Sequence, residues 1–179
     1  MNYIEILERF KYESDDNIKG RITALDKENH RENRDIINSI VLWKLNRSIF
    51  ITDETLDLLN LMDTMEHPLD VINNEKVTIL IKQLLSSKGI KLAVASSILH
   101  FYYPNIFPII DQRSYRELLN EEFPAYTSKD SNEKYTTLYI DYIRRCYEYN
   151  KTICPEIPFE YIDKILYQID KEKGNKVKY

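Results

Sequence analysis

Residues 80–118 read LIKQLLSSKGIKLAVASSILHFYYPNIFPIIDQRSYREL. Two apolar helical patterns flank Gly89, one of only three glycines in 179 residues. A chain so sparing of glycine places one where a helix must stop, at a position that favours positive φ. The spacing predicts a helix, a short turn and a second helix that ends before Pro104. A dense apolar run, FPII, then leads to Asp111 at the start of another helix, where a carboxylate caps open amides. On these residues alone the stretch is an αα-hairpin followed by a capped helix.

The rest of the chain agrees with that helical reading. With three glycines and six prolines in 179 residues, few tight hairpin turns are available, and no segment alternates as a strand does. The expectation is an all-α, single-domain bundle over residues 1–179. Its helices are expected at 2–12, 16–28, 33–48, 53–64, 69–86, 92–103, 111–119, 129–149 and 158–173. Ile36, Ile37, Ile40, Val41 and Trp43 form one side of the third segment, with Trp43 read as a core residue. Tyr135, Tyr139, Tyr142 and Cys146 recur at helical spacing and are expected to pack inward. The run DKENHRENRD (26–35) reads as a solvated connection, and the tail NKVKY after Gly174 as frayed.

A formal charge of −4 excludes a protein that coats nucleic acid indiscriminately. Charge is nevertheless uneven. Between Ser86 and Arg116 stand Lys88, Lys91, Arg113 and Arg116 against Asp111 alone, a local anion-facing window in an acidic chain. Cys146 and Cys154, the only two cysteines, lack metal-ligand spacing and read as reduced residues of a cytoplasmic protein. The charged N-terminus and the lack of a long apolar run give neither a secretion signal nor a membrane span.

Residues 80–119 resemble the helix-hairpin-helix DNA glycosylase superfamily. Aligning Val94-Ala95 with the family's TA pair sets Gly89-Ile90-Lys91 on the hairpin GVG and Ile110-Asp111 on the VD at the helix start, without a gap. FPIIDQRSYREL is similar to the adenine-mismatch branch. Trp43-Lys44 and Arg47, with ASSILHF, are similar to small bacterial relatives of these enzymes. The resemblance implies that the amides of Gly89, Ile90 and Lys91 grip a DNA phosphate, with a monovalent cation sometimes bound at the turn. It also implies that Asp111 is the carboxylate acting on a base flipped from the duplex.

Departures from the pattern carry expectations of their own. Lys91 replaces the second hairpin glycine and adds a charge suited to phosphate, as does Lys88 beside it. Ala93 stands where strand-cutting relatives carry a Schiff-base lysine, so strand cleavage through that position is not expected. Two cysteines cannot hold the family's four-cysteine iron–sulfur cluster, and no metal or other cofactor is expected. Ala93, Ser97 and His100 share a helical face expected to border the pocket, and Tyr103 reads as a core residue or as a further lining of that cleft. His100 reads equally as a pocket group or as a core histidine tying down the FYYPNIF loop, and Arg113 as a phosphate contact or a partner of Asp111. Two functions stand side by side: a monofunctional DNA glycosylase excising a damaged, modified or mispaired base, and a non-catalytic DNA-binding module in which Asp111 only caps a helix.

Overall fold

The structure is a computed structural model that describes residues 16–26, 28–45, 49–127 and 131–177. These residues are all-helical, with eight α-helices, three 3-10 turns and no strand. The chain divides into two compact units, Met1–Ile49 and Phe50–Tyr179.

In the first unit α1 is Asp16–Ala24 and α2 is His30–Lys44. The helix expected at 2–12 lies outside the described residues. The run 26–35 is not wholly a connection, because Asn29 accepts the Glu32 amide and starts α2 inside it. Of the apolar side read there, Ile36 is buried and Trp43 half-buried, whereas Ile37, Ile40 and Val41 are exposed.

The second unit carries the remaining helices. Thr52 caps α3, Asp53–Asn60, which tightens into a 3-10 turn at Leu61–Thr64. The helix expected over 69–86 is broken in two. A 3-10 turn covers Pro68–Val71, Asn73 takes φ 60°, and Asn74 caps α4, Glu75–Ser86. Asparagine tolerates the left-handed region and caps well, so two in succession end one element and open the next. Gly89, at φ 79°, turns the chain into α5, Leu92–Tyr102. Helix α6, Gln112–Leu119, is followed by α7, Asn132–Ile153, and α8, Ile162–Glu172.

One core joins these elements. Leu80, Ile81 and Leu84 of α4, Leu92, Ala95 and Leu99 of α5, and Tyr139, Tyr142, Ile143 and Cys146 of α7 are buried together, with Leu166 from α8. The tyrosine stripe therefore faces inward, and burial pushes the Tyr139 and Tyr142 hydroxyls well above their ordinary pKa. Helices α6 and α8 are clamped by an ion cluster. Asp170, wholly buried, accepts from Arg116 Nε and Nη2, each at 2.8 Å, from Arg113 Nη1 at 3.1 Å and from Asn175 Nδ2 at 2.8 Å. That bond and one from Arg113 Nη1 to Asn175 O at 2.9 Å hold the start of the tail expected to fray.

Candidate functional site

The FPII segment has no regular structure, yet it is largely buried, and buried backbone polar groups need partners. Side chains from four helices supply them. From α5, His100 Nδ1 bonds to Phe107 O at 2.9 Å and Ser96 Oγ accepts from Ile110 N at 3.2 Å. Since a carbonyl only accepts, His100 carries its proton on Nδ1. From α7, the Tyr139 hydroxyl donates to Pro108 O at 2.9 Å and that of Tyr142 to Ile109 O at 3.2 Å. Asp163 of α8 accepts from Ile109 N at 3.2 Å, and Ser114 Oγ of α6 accepts from Asp111 N at 3.0 Å. The chain entering Asp111 is thus fixed from several sides.

Asp111 is half-buried and extended, at φ −136° and ψ 179°, and caps α6. Its Oδ1 accepts from the amides of Arg113 and Ser114, both at 2.8 Å. Among the described residues no donor bonds to Oδ2. One carboxylate oxygen is held by the helix and the other is open, so capping and chemistry are compatible in the same side chain.

The hairpin turn lies close by in the fold. Ile90 is buried and its amide donates to Ser87 O at 3.2 Å, so it is not open to a phosphate. The Leu92 amide donates to the Tyr126 hydroxyl at 2.8 Å. Among the described residues the amides of Gly89, Lys91, Ala93 and Val94 have no partner. They sit at the positive end of α5, where open amides favour an anion. Gly89, Lys88 and Lys91 are exposed there, and the Lys91 ammonium rests 4.3 Å above the Tyr126 ring.

Asp111, Lys91, Ala93 and Arg113 line one cavity of about 600 Å³. Its other walls are Gln112 of α6, Glu122, Phe123, Pro124, Ala125 and Tyr126 from the loop after α6, Tyr167 from α8 and Val177 from the tail. The structure therefore brings together Lys91 and Ala93 at the hairpin exit and the Asp111 carboxylate. It does not bring His100, Tyr103 or Ser97 there. His100 is buried at the FPII carbonyl, as the core alternative requires. Tyr103 donates to Leu59 O at 2.7 Å, and its hydroxyl is pushed up to about 12, by burial first and Asp63 next. Ser97 bonds back to Ala93 O at 2.8 Å. Arg113 does not pair with Asp111; its Nη1 bonds to Asp170 and Asn175, 14% of the side chain is exposed, and among the described residues its buried Nε has no partner.

Several site residues were not anticipated. Asp163 is a buried carboxylate whose Oδ1 has no partner among the described residues, and burial raises its pKa against the opposing pull of His100. Bonds from Arg116 chiefly hold the Asp170 carboxyl below its ordinary value. The loop wall around Tyr126 gave no sequence signal beyond its aromatic content. Cys146 is buried and its thiol pushed well up by burial. Among the described residues no group of three His, Cys, Asp or Glu side chains could hold a metal, and no helix is long and apolar enough to cross a membrane. No family model matches this chain, and neither does any curated protein or solved structure.

Proposed function

We propose that this protein is a monofunctional DNA glycosylase that removes an altered base, with Asp111 as the acting carboxylate. The observation that carries this reading is the cavity of about 600 Å³ holding an Asp111 oxygen without a donor, together with Lys91 and Ala93 at the hairpin exit. A base flipped from the duplex enters the cavity while the open amides of the turn and of the α5 N-terminus meet the strand's phosphate. The bond from the sugar C1′ to the base nitrogen breaks and its electron pair leaves with the base. Asp111 Oδ2 stabilises the cationic sugar and takes a proton from the water that adds to C1′. Ala93 offers no amine, so the sugar is released as an abasic site in an unbroken strand.

The cap geometry supports a second reading, in which Asp111 serves α6 alone and the hairpin binds DNA without chemistry. A panel of duplexes carrying oxidised, alkylated, deaminated and mismatched bases separates the two. Abasic product formed by the wild type and lost in Asp111→Asn is the expected result. DNA retarded at low salt with no abasic product on any duplex would favour the binding module.

A further inference from the structure

The walls of the cavity say more about its occupant than the motif does. Its volume, about 600 Å³, falls among cavities that enclose drug-sized ligands and leaves room beyond a bare planar base. The aromatic surface comes from two elements, Phe123 and Tyr126 on the loop after α6 and Tyr167 on α8, and the small side chains of Ala93 and Ala125 leave space between. The charged lining groups are mostly engaged with the protein. Arg113 is held by Asp170 and Asn175, and Glu122 pairs with Arg116 at 3.6 Å. Lys91 lies 4.3 Å above the Tyr126 ring and Arg113 lies 5.5 Å from that of Tyr167, so each ring already has a protein cation against it. The lining charges balance, Lys91 and Arg113 against Asp111 and Glu122, so the cavity offers no net charge to a cationic base. A heavily hydroxylated substituent would lose water against alanine, proline, valine and aromatic carbon without replacement.

We infer that the cavity is shaped for a neutral base enlarged by an apolar substituent, such as an alkyl or aryl group or a fused hydrocarbon ring. Phe123, Tyr126 and Tyr167 provide its aromatic wall, and Ala93 and Ala125 its room. This rests on the glycosylase reading for the flipped base, but its test needs no catalysis.

The test measures binding by Asp111→Asn, which keeps a good helix cap, to duplexes containing N6-benzyladenine, ethenoadenine, hypoxanthine or only normal bases. The two enlarged bases are expected to bind roughly tenfold or more tightly than hypoxanthine, the scale on which an apolar pocket distinguishes added carbon. Adding Ala125→Leu, or independently Ala125→Met, is expected to erase that preference with hypoxanthine binding retained. Comparison on the same duplex cancels the cost of unpairing the base, and far-UV circular dichroism checks that each variant is folded. Equal affinity for all four duplexes, or a preference that survives both fillings, would overturn the inference. A preference that the fillings erase, with no base released by the wild type from any duplex, would support it while removing the catalytic reading.

Discussion

Replacing Asp170 by Asn tests the clamp that holds α6, and with it Asp111, against α8. The carboxylate is wholly buried and its arginine partners keep only 14% and 12% of their side chains exposed. The substitution removes the charge that Arg113 and Arg116 both face, and it puts an amide donor among guanidinium donors. Removing one partner from a buried ion pair costs about 3–5 kcal/mol, because the remaining charge is left uncompensated. In a chain of this size each kcal/mol lowers Tm by about 2–4 °C, so the loss is roughly 6–20 °C. Denaturant unfolding followed by near-UV tyrosine dichroism measures it. Arg116→Met is expected to cost a similar amount, and the double variant much less than the sum. The acid limb carries the same information. Bonds from Arg116 depress the Asp170 pKa, so its contribution is complete above the unfolded value of about 3.9 and is lost as pH falls through the lower folded value. The difference between wild type and Asp170→Asn therefore persists from neutral pH to about pH 5 and shrinks below pH 4. A cost under about 1 kcal/mol at pH 7, the scale of an exposed pair, would refute this reasoning.

Asp163 behaves in the opposite sense. Its folded pKa is raised by burial, so wild type gains stability relative to Asp163→Asn as pH falls from that value toward about 3.9. At pH 7 Asp163→Asn is expected to be tolerated better than Asp163→Ala, which abandons the Ile109 amide at a cost of about 1–3 kcal/mol. A pH series of unfolding curves checks both statements. Tyr139→Phe leaves the buried Pro108 carbonyl without its donor and is expected to cost about 1–3 kcal/mol in the same assay. Asp111→Ala is expected to lose about 1 kcal/mol from the cap while Asp111→Asn loses little, which thermal unfolding resolves.

The sequence made the hairpin and the Asp111 cap legible because their signals are local. A glycine sits at a positive-φ position, a proline ends α5, and an aspartate precedes the amides it bonds. The same local logic failed where two asparagines split the helix expected over 69–86. What lay beyond reach was pairing at long separation. Arg113 offered a phosphate or a neighbouring aspartate, but its partner Asp170 is 57 residues away. Asp163 meets Ile109 across 54 residues, and Tyr126 meets Leu92 across 34. No periodicity marks such partners, because each is an ordinary polar position on its own element. The tail was misread for the same reason: Asn175 and Val177 acquire their roles only when Asp170 and the cavity are in place.

Whether Asp111 acts in catalysis is decided by single-turnover base release by wild type and Asp111→Asn on the best duplex from the panel, with abasic sites and strand breaks quantified separately. Wild type is expected to give abasic product without strand cleavage before alkali, slowed on the order of 10²–10⁴-fold by Asp111→Asn at undiminished DNA affinity. Base release at the same rate in both proteins would exclude Asp111 as the acting carboxylate, and strand cleavage accompanying it would exclude a monofunctional reaction.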